Sequence, residues 1–423
     1  MRASVSRRDF LRVSAAAAAG PLILSSTSRA EANDRIQLGF IGVGTMGRGH
    51  LSSFLGRPEV QVVAVCDVVQ DRRESARQMI ESRYAKGKRT KFNGCKTFND
   101  FRDLLALKDV DAVVIATPDH WHCIPCVHAA RANKDIYCEK PLTHDIGQGR
   151  KIIDEVRKAK RVFQTGSQQR SEFGGLFRKA VEYVRNGRIG KVKTLRIGVG
   201  EPAIACNLPV QVIPKGTDWE MWLGPAPKRG YNEELCPKGV HKHFPAWRRY
   251  REYGGGGLAD MGAHHFDIAQ WALDMDHSGP VLIEPPRDKS TTGLRFVYKN
   301  GVEMFHGGPS GCTFEGTAGT IYVDRDKIQS KPDSILKQPL TDKDATVYFS
   351  TDHRKNWLEC IRSRKDPICP PEIGHRSASI CHLGNIGYWL RRNLKWDHEA
   401  ERFIADEEAN GLISWTPREP WKV

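Results

Sequence analysis

Residues 36–47 read Ile-Gln-Leu-Gly-Phe-Ile-Gly-Val-Gly-Thr-Met-Gly, an apolar run that leads into three glycines spaced Gly-x-Gly-x-x-Gly. The run is typical of a buried strand, and a helix is predicted to begin at Met46. Such a loop can cradle phosphates, because Gly42 permits a tight turn, Gly44 lets the backbone approach a pyrophosphate and Gly47 lets helix and strand pack closely. The positive end of the helix dipole then faces the phosphates. The predicted phosphate-binding residues are Gly42, Gly44, Thr45, Met46 and Gly47.

An acidic residue closes the next apolar run. Residues 60–66 predict a second strand, and Asp67 follows it directly. An acidic side chain at this point of a dinucleotide site accepts hydrogen bonds from the adenosine ribose hydroxyls and repels a 2′-phosphate. We therefore expect NAD as the cofactor. Arg72 and Arg73, one turn later, keep NADP as the alternative.

Apolar runs and helical patterns alternate from residue 35 to residue 165. This alternation predicts an α/β domain with a doubly wound parallel sheet and helices on both faces. The polar stretch 85–96 is expected to be an exposed loop. The predicted strands are 36–41, 60–66, 112–116, 135–138 and 162–165, and the predicted helices are 46–55, 71–84, 98–107, 124–132 and 146–159.

The pattern changes after the helix that ends near residue 159. We place the domain boundary there, so that residues 33–160 form the nucleotide-binding domain and residues 161–423 form a second, α+β domain with a mostly antiparallel sheet. The Pro- and Gly-rich stretch 202–239 predicts long loops, which in compact domains are usually functional. The predicted elements of this domain are the strands 194–199, 293–298, 303–305 and 320–323 and the helix 377–394.

Composition excludes several classes of protein. With 39% hydrophobic and 27% charged residues in 423, the chain is typical of a globular protein of two domains. The net charge of +15 falls to +11 without residues 1–30, and no basic run interleaved with aromatic residues suggests nucleic-acid binding. The eleven cysteines are irregularly spaced and do not predict a disulfide framework. Cys123 and Cys126 are expected to be buried thiols rather than zinc ligands.

The N-terminus has the features of an export signal. Arg7-Arg8-Asp9-Phe10-Leu11 precedes a short apolar stretch and a small-residue cleavage site after Ala30 or Ala32. The arginine pair resembles a twin-arginine signal, here residues 1–32, and a general secretory signal is the alternative. Twin-arginine cargo crosses the membrane folded, so we expect a protein outside the cytoplasm that can carry a cofactor loaded inside the cell. No segment is apolar for long enough to predict a membrane anchor.

Further segments carry a family resemblance. Residues 116–122 read Ala-Thr-Pro-Asp-His-Trp-His and residues 138–141 read Cys-Glu-Lys-Pro, each at the end of a predicted strand. With the glycine loop, the glycine-rich segment 254–267 and the segments 314–319 and 381–385, they make nearly the whole mature chain resemble the glucose–fructose oxidoreductase / inositol dehydrogenase / MocA family. The resemblance implies an N-terminal Rossmann domain, a C-terminal domain with a large open sheet, and a homo-oligomer, either a dimer or a tetramer.

The resemblance also implies a catalytic role for Lys140. Hydride transfer from a secondary alcohol needs a base for the hydroxyl proton and a cation for the developing alkoxide. Asp260 and His264 are four residues apart and share one face if their segment is helical. We expect Asp260 to orient His264 as the general base while Lys140 polarises the hydroxyl. His265 would point elsewhere.

Other site residues follow from the same motifs. Thr117 and Pro118 are expected under the nicotinamide ribose, and Gln168 stands where relatives often carry Asn. His120 and His122 are interpreted as cofactor-pocket or packing residues; a metal-ligand role is the alternative, and no metal is expected. The expected cofactor contacts beyond the glycine loop and Asp67 are Thr117, Pro118, His120, His122, Glu139, Lys140 and Gln168.

A loop rich in aromatic and basic residues precedes Asp260. It contains His241, His243, Trp247, Arg248 and Tyr250, a mixture that suits a sugar with apolar ring faces and many hydroxyls, and ordinary packing is the alternative. The expected substrate contacts are Lys140, Arg170, Trp247, Arg248, Asp260 and His264.

Three functions fit these observations. The first is an NAD(P)-dependent oxidoreductase that acts on a secondary hydroxyl of a sugar, glycoside or cyclitol. The second is an exported enzyme that keeps NAD bound and returns the hydride within one cycle, as a glycosidase or a sugar–sugar oxidoreductase. The third is a non-enzymatic NAD-binding regulator, against which the presence of Lys140, Asp260 and His264 argues.

Overall fold

The computed structural model describes residues 35–87 and 92–423. The predicted signal, residues 1–32, and both of its candidate cleavage sites lie outside these residues. No helix in the described ranges is long and apolar enough to span a membrane.

The first domain is built on six parallel strands in the order β3-β2-β1-β4-β5-β6. Because β1 is central and the chain crosses over to either side of it, the sheet is doubly wound, as predicted. The strands are β1 Ile36–Ile41, β2 Val60–Cys66, β3 Lys96–Phe98, β4 Ala112–Ile115, β5 Asp135–Cys138 and β6 Phe163–Thr165. The helices are α1 Thr45–Leu55, α2 Gln70–Lys86, α3 Phe101–Leu105, α4 Cys123–Arg131 and α5 Ile146–Ala159.

Two strands of this sheet differ from the prediction. β3 was expected to be loop and helix, because its three residues are polar or only partly buried at the sheet edge. β6 pairs in parallel with β5, so the sheet continues beyond the boundary placed at residue 160. A strand of three residues that directly follows a helix carries no signal of which sheet it joins.

The second domain contains an eight-stranded sheet, as predicted mostly antiparallel, in the order β12-β11-β10-β9-β8-β13-β14, with β7 also paired to β10. The strands are β7 Val192–Gly198, β8 Leu282–Glu284, β9 Arg295–Val297, β10 Glu303–Gly316, β11 Thr320–Val323, β12 Ile328–Lys331, β13 Leu394–Asp397 and β14 Arg402–Phe403. The helices are α6 Leu176–Arg185, α7 Trp219–Leu223, α8 Gly256–Asp260, α9 Gly262–Ala272, α10 Ser334–Lys337, α11 His353–Ser363, α12 Pro371–Leu390 and α13 Glu407–Asn410.

One face of this sheet packs on α9 and α12, which are almost entirely buried. The helix α12 begins at Pro371, earlier than predicted, since proline suits the first helical position and Glu372 complements the helix dipole there. All eleven cysteines are free and ten are buried, as expected. The helix α8 points its last residue, Asp260, at the carboxyl end of β5, so the site forms between the domains.

The turn after β1 depends on glycine. Gly42 has φ +85°, and a Cβ there would lie 2.7 Å from the carbonyl oxygen of Ala116 after β4. The backbones of two neighbouring strand ends therefore touch, which only glycine allows.

Arg170 belongs to an ionic cluster of the second domain in which Arg170 and Asp267 are fully buried and Asp276 is partly exposed. It donates through Nε and Nη2 to both carboxylate oxygens of Asp267, each at 2.8 Å, and through Nη1 and Nη2 to Asp276 at 3.0 and 2.7 Å. Its guanidinium also stacks on Trp271 at 4.8 Å. Four of its five N–H groups donate to these two carboxylates, which assigns it the role of holding α9 in place.

Replacing Arg170 by methionine should cost about 3–5 kcal/mol of unfolding free energy, because it leaves the buried carboxylate of Asp267 without its counter-charge and also removes the ion pair with Asp276. Chemical denaturation monitored by circular dichroism measures the loss. The matched control is Arg178→Met, whose partner Glu182 lies on the same helix and whose removal should cost less than about 1 kcal/mol. Equal losses in the two variants would contradict a structural role for Arg170.

Candidate active site

A cavity of about 400 Å³ lies between the carboxyl edge of the first sheet and the second domain. Most of the predicted site residues meet on its walls: Gly42, Gly44, Thr45, Met46, Asp67, Thr117, Pro118, Glu139, Lys140, Gln168, Trp247, Arg248, Asp260 and His264. Gly47, His120, His122 and Arg170 are not among the lining residues. The expected substrate contact of Arg170 is therefore corrected, since the side chain is committed to Asp267 and Asp276.

Lys140 is fixed by the second domain. Its Nζ donates to Asp260 twice, to Oδ1 at 2.6 Å and to the backbone carbonyl at 2.7 Å. Arg248 approaches the same carboxylate, with Nε 3.4 Å from Oδ1. Burial by itself raises the pKa of Asp260, but the charges of Lys140 and Arg248 outweigh it and the pKa is lowered. Asp260 is therefore a carboxylate that holds the ammonium of Lys140 at the cavity wall.

The structure corrects the expected Asp260–His264 pair. The helix α8 ends at Asp260 and α9 begins at Gly262, so the two side chains do not share one continuous helix face. Among the described residues, Nδ1 of His264 has no hydrogen-bond partner. Burial, followed by the charge of Lys140, lowers the pKa of His264 well below its usual value. The imidazole is thus neutral at physiological pH, with a free nitrogen.

A buried network surrounds Glu139, and sequence analysis identified only part of it. Its Oε1 accepts from Nε2 of His50 and from Nε2 of Gln168, both at 2.7 Å. Arg354 donates through Nε to Nδ1 of His50 at 3.0 Å, which leaves the proton of the neutral ring on Nε2. Burial raises the pKa of Glu139, but His50 and Lys140 outweigh it and the pKa is lowered. Glu139 is an anion behind Lys140.

Asp119 is a second residue whose role the sequence did not reveal. It follows Thr117-Pro118 after β4, lines the cavity and is 4% exposed. Burial raises its pKa to about 8; the charge of Lys140 opposes this shift and that of Asp260 adds to it. Asp119 therefore carries a proton at neutral pH and adds no charge to the cavity. An acidic residue directly after a strand end was the available signal.

The two motif histidines lie behind the cavity. Nε2 of His120 lies 3.0 Å from the carbonyl oxygen of Trp222, and His122 is held between the carbonyls of Pro141 and Thr117 at 2.9 and 3.0 Å. They position the loops after β4 and β5 and do not face the space available to a cofactor, which corrects their assignment as cofactor contacts. No group of three or more potential metal ligands occurs in the ranges that the structure describes.

At the far end of the cavity, Asp67 joins the glycine loop to β2. Its two carboxylate oxygens accept from the backbone N–H groups of Val43 and Val69, each at 2.9 Å. Arg72 donates to the carbonyl oxygens of Gly239, at 2.9 Å, and Pro237. The hydrogen bonds of this arginine thus connect the nucleotide-binding domain to a loop of the second domain.

The aromatic loop contributes one wall. The guanidinium of Arg248 lies 4.2 Å from the ring of Trp247 and 5.0 Å from that of Phe244. His241 and His243 instead contact Thr45, whose hydroxyl donates to the carbonyl oxygen of His243 at 2.8 Å. The loop therefore serves both ends of the cavity.

Comparisons with known proteins agree with this geometry. An oxidoreductase-family model for an NAD-binding Rossmann fold matches residues 36–167, the model of the family's C-terminal α/β domain matches residues 203–423, and a twin-arginine signal model matches residues 4–23. The matches confirm the twin-arginine signal and the predicted fold of the N-terminal and C-terminal parts, while the bounds 33–160 and 161–423 stay a prediction.

Named relatives point the same way. The chain is 32% identical over 398 residues to myo-inositol 2-dehydrogenase of Thermotoga maritima, covering 89% of this chain and all of that protein. A glycosyl hydrolase family 109 protein of Shewanella pealeana is 28% identical over 178 residues, which is 37% of this chain and 38% of the relative. The aldose–aldose oxidoreductase of Caulobacter crescentus shares the fold, with a TM-score of 0.58 at 17% identity over 85% of this chain and 99% of that one. The chain belongs to the glucose–fructose oxidoreductase / inositol dehydrogenase / MocA family of NAD-binding oxidoreductases.

Proposed function

We propose that this oxidoreductase oxidises a secondary hydroxyl of a sugar, glycoside or cyclitol and uses NAD in preference to NADP. The observation that carries the proposal is the ammonium of Lys140, fixed by Asp260 at the end of β5, in one cavity with the neutral imidazole of His264. A cation and a neutral base beside a nucleotide cleft are the groups that such an oxidation needs.

The residues present fit a nicotinamide dinucleotide. The hydroxyl of Thr117 is buried without a hydrogen-bond partner in the described part of the chain and belongs to a cavity-lining residue, which suits a ribose hydroxyl. The glycine loop and the start of α1 would hold the pyrophosphate, and Asp67 would bind the adenosine ribose. When bound, the nicotinamide ring supplies the hydride acceptor.

The protein residues manage the proton and the charge. His264 accepts the hydroxyl proton on its imidazole, which is neutral and therefore able to take it. Lys140 donates a hydrogen bond to the same substrate oxygen and stabilises the alkoxide as the proton leaves. Asp260 is a positioning residue that holds the ammonium of Lys140 at the cavity wall.

Lys140→Ala tests the proposed reaction. We expect kcat to fall about 10²- to 10⁴-fold, because the alkoxide loses its stabilising cation, while the affinity for NAD changes little. NADH formation is measured with a panel of sugars and cyclitols that includes myo-inositol, and NAD binding by calorimetry. The matched control is Lys158→Ala, an exposed lysine of α5. Unchanged turnover in Lys140→Ala would overturn the assignment.

Asp67→Ala tests the preference for NAD. Removing the carboxylate should weaken the binding of NAD about 10-fold or more, because a hydrogen bond to the ribose is lost. It should also relax the discrimination against NADP, because the repulsion of the 2′-phosphate is lost. The ratio of the two dissociation constants is the readout, because loss of the bonds to Val43 and Val69 affects both cofactors alike. Asp154→Ala, on the exposed face of α5, is the control. An unchanged ratio would show that Asp67 does not set the preference.

A second candidate function is supported by residues 235–247, here called the strap. The strap crosses from the second domain to the glycine loop and α2, through Thr45 and Arg72, and its Leu235 and Trp247 line the cavity. A bound dinucleotide would lie between the strap and the glycine loop, so its release requires these contacts to open. Such a cleft suits an enzyme that retains its NAD and recycles it within each cycle.

The export signal adds to this argument. A folded protein sent through the twin-arginine route reaches a compartment outside the cytoplasm without a nicotinamide pool, so a retained cofactor would make it active there. The cycle would then close by returning the hydride to the same substrate or to a second sugar, as a glycosidase or a sugar–sugar oxidoreductase does.

Nucleotide content tests retention. We expect the protein purified from its exported location to release near-stoichiometric NAD or NADH on denaturation, identified by mass spectrometry. Arg72→Ala should lower that content, because it frees the strap at Gly239, whereas Arg131→Ala, which removes a surface ion pair with Glu155, should not. Exported protein that is empty but binds added NAD would favour an oxidoreductase with exchangeable cofactor.

A further inference from the structure

A hairpin of the second domain brings one more cation to the cavity. Arg325 lies in the turn between β11 and β12, where Oδ1 of Asp324 accepts from the backbone N–H groups of Asp326 and Lys327, each at 2.8 Å. Arg325 lines the cavity together with Asp260 and His264. Its charge is felt there, since it lowers the pKa of His264 after burial and Lys140.

The guanidinium of Arg325 is held in one orientation. Its Nε donates to Oε1 of Gln169 at 3.1 Å, and its Cζ lies 4.7 Å from the ring centroid of Phe173. Phe173 has φ +58°, in the left-handed region that an aromatic residue rarely adopts, and this strain is kept at the cavity wall. The platform under the arginine is thus maintained at an energetic cost. Neither Nη atom of Arg325 donates to an acceptor within the described residues.

Arg325 also differs from the other cations at this end of the cavity. Lys140 and Arg248 share Asp260, and Arg354 pairs with Glu172 at 2.9 Å. Arg325 has no carboxylate within 4.0 Å among the residues that the structure describes. His264 is neutral and Asp119 is protonated, so neither compensates it. One positive charge, partly removed from water, therefore lines the substrate space with no carboxylate of the described residues in contact, and only the more distant charges of Asp260 and Glu172 act on it.

We propose that Arg325 binds a carboxylate of the substrate, so that the substrate is a sugar acid such as a uronate or an aldonate. The inference rests on the proposed function and names its substrate class. Two coplanar Nη donors match the two oxygens of a carboxylate, and one unmatched charge matches its single negative charge. A phosphate ester carries nearly two charges and is the competing source of an anion.

The experiment uses the full-length mature protein loaded with NAD. It is exposed to an equimolar mixture of uronic acids, aldonic acids, the matching neutral sugars and sugar phosphates. Bound compounds are identified by mass spectrometry after rapid desalting, and NADH formation with each compound is recorded separately. The variants are Arg325→Gln, Arg325→Lys and the control Arg196→Gln, an arginine that stacks on Phe305 at 5.3 Å but is paired with Glu315. The hairpin is exposed at Arg325, and circular dichroism verifies that each variant is folded.

We expect the wild-type protein to select an acid over its neutral counterpart. Arg325→Gln should weaken the binding of that acid about 10- to 100-fold, because a charge-assisted pair of hydrogen bonds is lost. Its affinity for neutral sugars should stay unchanged. Arg325→Lys should bind the acid more tightly than Arg325→Gln does but less tightly than the wild-type protein. The control Arg196→Gln should bind the acid as tightly as the wild-type protein. The proposal is overturned if the protein selects neutral sugars or sugar phosphates, or if it retains no acid. It is also overturned if the wild-type protein and Arg325→Gln bind the acid with equal affinity. Rapid NADH formation from neutral sugars alone would refute this inference and leave the proposed function intact. Acid binding without NADH formation would instead refute the proposed function and leave the binding of an acid by Arg325 intact.

Discussion

The ion pair between Lys140 and Asp260 joins the two domains at the point where chemistry is expected. Lys140 comes from the end of a parallel strand and Asp260 from the last turn of a helix 120 residues later. Neither group is fully exposed, so each requires the other: without Asp260 the ammonium would lack a fixed position, and without Lys140 the carboxylate would face a desolvation cost with only Arg248 nearby. The relative position of the two domains therefore depends on the charges of Lys140 and Asp260.

Charges around this pair are arranged so that few remain uncompensated. Glu139 accepts hydrogen bonds from His50 and Gln168 and lies beside the charge of Lys140, Asp119 holds its proton, and His264 is kept neutral by burial. Burial thus favours the neutral form of both groups, protonated in Asp119 and deprotonated in His264. Arg325, in contrast, has no carboxylate in contact among the described residues. For this reason we propose it as the residue that recognises the negative charge of a substrate.

Contacts between the domains serve binding as well as stability. Arg354 reaches from α11 to His50 on α1, while the strap reaches from the second domain to Thr45 and Arg72. A nucleotide in the cleft would be enclosed by residues of both domains. We expect that movement of one domain against the other would open the cleft and also disturb the Lys140 site, and would thereby couple cofactor exchange to the geometry of the proposed catalytic groups.

The sequence by itself determined the glycine loop, most strands of the first sheet and the order of the two domains. It also identified Lys140, Asp260 and His264 as candidate site residues, and all three line the cavity. These features depend on local rules: apolar periodicity, the special conformation of Gly42, and short motifs at strand ends. The edge strand β3 escaped prediction because its polar residues bury little surface.

Only the tertiary structure decided which groups meet. It assigned Asp260 to Lys140 rather than to His264, committed Arg170 to buried carboxylates, and brought Arg325 to the cavity. The physical reason is that hydrogen bonds and ion pairs depend on distances of a few ångströms, whereas Lys140 and Asp260 are 120 residues apart in the chain, Arg170 and Asp267 are 97 apart, and Arg325 and Gln169 are 156 apart. Burial, which sets the protonation of Asp119 and His264, likewise exists only once the two domains have closed around the cleft.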